Sequence, residues 1–182
     1  LVSKQYAKEL KNKIDMTRAK PSDQISPGKI EIREGEDTTH FSVIDKYGNA
    51  VSNTYTLNFS FGSKITVPGT GILLNNEMDD FSAKPGTPNA YGLVGGESNA
   101  IAPEKRMLSS MTPTIVLKKG KPFIVTGSPG GSRIITTVLQ VIINVIDFGL
   151  NISEATNAVR VHHQWLPDEL VAERGLSGDT AD

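Results

Sequence analysis

Thr38 opens the stretch "TTHFSVIDKYGN", directly after the acidic run "EGED". Two readings of it stand. A threonine at the start of a strand needs no special reason. Alternatively, Thr38 is a nucleophile that becomes active once the bond before it is cut, because its own α-amine then serves as the base. An amide nitrogen is not basic, whereas an α-amine has a reference pKa of about 7.7–8.0. At pH 7 roughly a tenth of it is already unprotonated, and modest desolvation raises that share. The branched Cβ restricts χ1, so the hydroxyl starts close to a fixed direction.

Other groups could serve the same chemistry. In "TGSPGGSR" the consecutive Gly130 and Gly131 form either a tight turn entering a helix or an oxyanion hole. For the second role, two backbone N–H groups would point at one oxygen, with no Cβ in the way. The loop lacks the Gly-Lys-Ser/Thr of a nucleotide-binding P-loop and the Gly-x-Ser-x-Gly of a nucleophile elbow. "LLNNEMDDF" places Asn75, Asn76, Glu77, Asp79 and Asp80 beside an apolar segment, without calcium-loop spacing. It is either a solvated turn or a carboxylate cluster for a substrate ammonium. "RMLSSMTP" offers Ser109 and Ser110, either a turn or two hydroxyls that could donate to a carboxylate. His162 and His163 are adjacent in sequence, which rarely suits one metal, and His40 has no serine motif to serve. Asn58-Phe-Ser60 and Asn151-Ile-Ser153 match the glycosylation triplet, a pattern frequent by chance.

These residues must be positioned by elements that the chain's patterning indicates. Residues 1–37 hold 15 of the charged residues and residues 38–182 hold 24, so the first part is more than twice as charged per residue. Val2, Tyr6, Leu10 and Ile14 recur every four positions, predicting an amphipathic helix, and "AKPSDQISPGKIEIREGED" reads as an extended linker. A boundary therefore falls near Asp37 and Thr38. Beyond it, residues 39–45 and "AVSNTYTL" alternate around the turn "KYGN", predicting a hairpin. "TPTIVL", "KKGK" and "PFIVTGS" predict a second one. "IITTVLQVIINVI" has nine apolar residues in thirteen, on every face, and reads as a buried helix, although its β-branched content would also suit a strand. "NISEATNAVR" reads as a helix capped by Asn151 with Glu154 three residues later.

Composition sets the outer limits. The length of 182 residues allows one domain with a real core, and 37% hydrophobic content with 17 Gly and 10 Pro suits a globular, turn-rich α+β protein. A net charge of −1 gives no support for nucleic acid as the main partner. The absence of cysteine excludes disulfides, thiolate metal sites and Cys nucleophiles. No metal or cofactor motif is visible. The chain begins with Leu1 rather than Met, which reads as a fragment or processed piece.

Taken in order, "TTHFSVIDKYGNAVSNTYTLN", "GILLNNEMDDFSAKPGTPNAYGLVGG", "KRMLSSMTPTIVL" and "VTGSPGGSRIITTVLQ" closely resemble the catalytic small subunit of γ-glutamyltranspeptidases. The resemblance covers nearly the whole chain. It identifies residues 1–37 with the tail of the family's large subunit and residues 38–182 with most of the small subunit, ending early. It implies an N-terminal nucleophile hydrolase fold, a four-layer αββα sandwich, present in part. It implies self-cleavage between Asp37 and Thr38, after which Thr38 takes a γ-glutamyl group from glutathione or a related amide and passes it to water, an amino acid or a peptide.

By the same resemblance, Thr56 hydrogen-bonds the nucleophile. Asn58, Glu77 and Asp80 hold the donor's α-amino group, Glu77 standing where relatives carry Gln or Glu. Ser109 and Ser110 hold the α-carboxylate, Gly130 and Gly131 form the oxyanion hole, and residues 85–96 form a lid. The family's arginine for the α-carboxylate lies in the large subunit, outside this chain. The chain alone is therefore expected to be inactive, with its apolar helix partly bare or covered by a second copy. The resemblance implies no cofactor, a large-subunit partner from the same precursor, and a periplasmic or extracellular location. Competing readings are a related acylase of cephalosporin type, a glutamyl-binding module without catalysis, and a phosphate-binding domain built on "GSPGGSR".

Overall fold

Alternation of apolar and polar residues, broken by glycine, gives the chain its two principal hairpins. The computed structural model describes residues 4, 8, 11–12, 14–21, 38–89, 93–165 and 168–181. Strand β1 (Thr38–Ile44) pairs antiparallel with β2 (Ala50–Thr56), with Thr38 opposite Thr56 and Ile44 opposite Ala50. Asp45 closes the connecting turn: its Oδ1 accepts from the N–H groups of Tyr47 and Asn49 at 2.8 and 2.9 Å. Those bonds, with one from the Asn49 side chain first among them, hold its carboxyl below the usual carboxylate range. Gly48 supplies the left-handed backbone that the turn requires, at φ +88°.

Strand β3 (Thr114–Lys118) pairs with β4 (Lys121–Thr126), with a bulge between Val116 and Leu117. Lys119 and Gly120 both have positive φ, 53° and 76°, the signature of a two-residue type I′ connection. The two hairpins pack together through the end of β4. Ser52 Oγ donates to the Thr126 carbonyl at 2.8 Å, and a Cβ at Gly127 would overlap the His40 imidazole. Glycine at 127 thus lets the chain pass β1 at close range.

Helix α1 (Arg133–Ile146) covers the segment expected to be a buried helix. Only one stripe of it is buried: Ile134, Val138 and Val141, at spacings of four and three. Ile135, Leu139 and Ile146 are about half exposed, at 49%, 52% and 50%. The buried stripe faces α2 (Ile152–Asn157), where Ala155 is fully buried, and β5 (Val161–His162), which pairs with β6 (Val171–Ala172). Helix α2 starts on a complete capping box. Asn151 Oδ1 accepts from Glu154 N–H at 2.9 Å, and Glu154 Oε2 accepts from Asn151 N–H at 3.0 Å. A short helix, α3 (Gly178–Ala181), follows β6.

The expected N-terminal helix falls largely outside the described residues, as do Val2, Tyr6 and Leu10. Lys4, Lys8 and Lys11 are helical, and Ile14 lies beyond the last helical position, exposed. Asp37 and most of the expected linker also fall outside. The described part is a mixed helix-and-strand structure, its core formed by Phe81, Ile124, Ile134, Val138, Val141 and Ala155.

Candidate active site

Thr38 is the first residue of β1 and lies half-buried opposite Thr56, the last residue of β2. Two β-branched residues paired at the open end of a hairpin place both hydroxyls where the ladder stops. The chain then leaves β2 through Asn58, which is 7% exposed and left-handed at φ 75°. Asparagine is among the few non-glycine residues that tolerate this conformation. The Asn58 N–H donates to Thr56 Oγ1 at 2.9 Å, and its Nδ2 donates to the Asn76 carbonyl at 3.2 Å. Asn76 answers with two bonds: its N–H donates to the Leu57 carbonyl, and its Oδ1 accepts from Phe59 N–H, both at 3.1 Å. The end of β2 is thereby stitched to the 3-10 turn Glu77–Asp80.

That turn brings two carboxyl groups together. The side chains of Glu77 and Asp80 hydrogen-bond each other, and Glu77 Oε1 is buried without a hydrogen-bond partner. Burial, then the Asp80 charge and the bond to it, push Glu77 up to about 7. Burial likewise raises Asp80, with the Asp79 charge adding and the bond from Glu77 opposing. A cavity wall of this kind, acidic and short of hydrogen donors, suits an incoming ammonium group.

Ser109 and Ser110 lie on a stretch without helix or strand. Ser109 Oγ accepts from Met111 N–H at 3.2 Å, which leaves its proton to donate elsewhere. The glycine-rich loop follows β4, with Gly130 at φ 129° and Gly131 at φ 56°, and both carbonyls accept from the first turn of α1. Only glycine fits two such positions in succession.

One cavity unites these elements. Thr38, Thr56, Asn58, Glu77, Asp80, Ser109, Ser110 and Gly131 line it, joined by Leu93, Met111, Ser132 and Ile134. Gly130 does not line it. Near Leu93, Gly86 N–H donates to the Gly95 carbonyl at 3.0 Å, and Pro88 pairs with Val94. Ala90, Tyr91 and Gly92 of the expected lid lie outside the described residues. Asn58 is too buried to accept a glycan. The adjacent histidines part company, His162 meeting Thr136 and Gln164 at 2.7 and 2.9 Å, and His163 meeting Asp168 at 3.1 Å.

Several contributors were invisible in the sequence. Ser132 stands at the N-cap of α1 but does not cap it; its hydroxyl donates to Gln164 Oε1, which also takes the His162 Nε2 bond. Asn99 fastens loops through its side-chain amide, as does Asn76, which the sequence pattern places only in the acidic cluster. The only available signal was their position in turn-rich segments, which many amides share.

Comparison with known proteins agrees with the order of these motifs. The family model for gamma-glutamyltranspeptidase matches residues 1–182. The glutathione hydrolase proenzyme of Escherichia coli (strain K12) is 64% identical over 180 residues, covering 99% of this chain and 31% of the relative. The chain thus spans about a third of the length of such curated relatives. An acivicin-inhibited γ-glutamyltranspeptidase structure, which reveals critical roles for that protein's C-terminus in autoprocessing and catalysis, is 67% identical with a TM-score of 0.75. It is matched over 79% of this chain and 77% of its own. A mutant Helicobacter pylori γ-glutamyltranspeptidase gives 66% identity and a TM-score of 0.76, with the same coverage. A site built around a strand-initial threonine and a carboxylate pair, in a chain so matched from end to end, belongs to the γ-glutamyltranspeptidase family.

Proposed function

We propose that this chain carries the reacting groups of a γ-glutamyl acyltransferase and glutathione hydrolase that arises by self-cleavage between Asp37 and Thr38. The cut divides the chain into residues 1–37, the tail of a large subunit, and residues 38–182, the catalytic part of a small subunit. Both contribute to a four-layer αββα sandwich of the N-terminal nucleophile hydrolase type. The observation that carries this reading is the single cavity in which Thr38 meets an acidic pair on one side and a hydroxyl pair on the other. A γ-glutamyl donor has the matching outline, with an ammonium and a carboxylate on one carbon and the reacting carbonyl several bonds away.

The Thr38 hydroxyl attacks the γ-carbonyl and passes its proton to the freed α-amine, while Thr56 steers it. Backbone N–H groups of Gly130 and Gly131 receive the developing oxyanion; losing one such donor lowers kcat about 100- to 1000-fold. The C–N bond breaks, the proton moves to the departing amine, and a γ-glutamyl ester remains on Thr38. Water, an amino acid or a peptide then takes the acyl group. Asn58, Glu77 and Asp80 hold the donor's ammonium, and Ser109 and Ser110 its carboxylate. Each charge-assisted bond is worth about 1.5–3 kcal/mol. The acidic pair favours this head group over that of a cephalosporin-type acylase.

The partner is the large subunit of the same precursor, in keeping with relatives described as proenzymes. The location is periplasmic or extracellular; among the described residues no helix is long and apolar enough to cross a membrane. The test uses the full-length precursor. Mass spectrometry should find Thr38 as a new N-terminus and, after brief exposure to a γ-glutamyl anilide, an acyl group on it. Turnover by a precursor that remains uncut would refute the scheme.

A further inference from the structure

Asn99 ends the short 3-10 turn Glu97–Asn99 and does not line the cavity. Its side chain nevertheless reaches both halves of the site. Nδ2 donates to the Asp80 carbonyl at 2.7 Å, and Oδ1 accepts from Leu108 N–H at 3.0 Å. Both partners are backbone groups of fixed polarity, so only one orientation of the amide satisfies them. Asn99 is itself held in place. Its N–H donates to the Gly96 carbonyl and its carbonyl accepts from Ser82 N–H, each at 3.0 Å. Ser82 is buried and bridges to Ala100, so the clasp is anchored beside the core residue Phe81.

The two ends of that amide matter because of what adjoins them. Asp80 belongs to the acidic half of the site, and Leu108 immediately precedes Ser109 in the hydroxyl half. The hydroxyl half has no helix or strand to fix it. We propose that Asn99 is a positioning residue that sets the separation between these halves, and so selects donors bearing an ammonium and a carboxylate on the same carbon. This rests on the reading of the cavity given above. Ammonium and carboxylate on one carbon leave no freedom in their spacing. Hydrogen bonds weaken steeply once the distance or angle drifts. A site whose halves move apart still grips one group but no longer reads both at once.

The experiment uses the full precursor as wild type, Asn99→Ala and Asn99→Asp. Three anilide donors are compared: γ-glutamyl, 4-aminobutanoyl (no carboxylate) and glutaryl (no ammonium). In Asn99→Ala, KM for the γ-glutamyl donor should rise about tenfold with kcat nearly unchanged. The preference in kcat/KM over the two truncated donors should shrink about tenfold. Asn99→Asp keeps an acceptor for Leu108 N–H but turns an oxygen toward the Asp80 carbonyl, so it should shift both readouts in the same direction. It decides the matter if the alanine variant fails to fold.

Unchanged KM and preference would overturn the proposal. So would lower thermal stability and kcat with the preference intact, the mark of a merely structural role. Folded variants that fail to self-cleave would also count against it, because the proposal leaves the cut to Thr38 and gives Asn99 no part in it. If the wild type does not distinguish the three donors, the reading of the cavity falls and this inference with it. If the wild type distinguishes them and both variants do so equally well, only this inference falls.

Discussion

Glu77 keeps a proton that an ordinary glutamate sheds well below pH 7, because burial and the neighbouring Asp80 charge both oppose its ionisation. In the proposed reading a bound donor ammonium reverses that balance, so donor binding expels the proton. Donor KM should therefore rise as pH falls below about 7, and Glu77→Gln should flatten that rise; initial rates across pH 5–8 check it. The effect on stability has a definite sign. The folded-state pKa lies above the ordinary value of 4.5, so the folded chain binds more protons than the unfolded one between 4.5 and about 7. The Glu77 contribution to stability then falls as pH rises through that window. Thermal melts should show a difference between wild type and Glu77→Gln that changes over that interval and is constant outside it. Thr38→Ala should abolish both self-cleavage and turnover, measured by gel and by anilide release, since the proposal gives one hydroxyl both tasks. At this scale the sequence was informative where side chains announce their chemistry: a threonine after an acidic run, paired carboxylates, paired hydroxyls. It was silent about Asn99 and Gln164, and it grouped Asn76 with the carboxylates rather than marking it as a fastener, because these roles depend on backbone groups or side chains distant along the chain.

Among the elements, α1 shows most clearly how packing sorts a uniformly apolar segment. Periodicity cannot rank its faces, because nearly every position is apolar. The structure buries Ile134 at 1% exposure and leaves Ile135 at 49%. Ile134→Ala should cost about 2–4 kcal/mol and Ile135→Ala less than about 1 kcal/mol in this chain, by denaturant unfolding. Losing the cap through Asn151→Ala should cost about 1 kcal/mol by the same measurement. The hairpins were legible because alternation and Gly48 or Gly120 mark strands and turns locally. Their docking was not, because Gly127 reveals its purpose only when the His40 ring is beside it. The helix at 151–160 was legible from its capping box, though it ends at Asn157, before the segment's last residues.

Across the whole molecule, apolar side chains remain in view. Phe41, Val43, Val51 and Tyr55 lie on one face of the first hairpin, between 49% and 61% exposed, and the outer face of α1 adds Leu139 at 52%. Such surface normally meets a partner, and the rest of the precursor is the partner proposed. The chain alone should therefore self-associate at micromolar concentration in sedimentation, and co-expression with the remaining precursor should suppress this. The family resemblance implied a four-layer sandwich present in part, its apolar helix partly bare or covered by a second copy; which residues stay bare depends on what else is present, and no local pattern encodes that. The pairing of Thr38 with Thr56 has a final consequence. The ladder reaches the very residue that the proposed cleavage would expose. The proposed nucleophile is thus tied into the hairpin through its own strand rather than through the residues before it. A precursor locked against cutting by Thr38→Ala should then still take up free glutamate, by calorimetry, because the strand partner of residue 38 and the rest of the cavity lining lie on the far side of the cut.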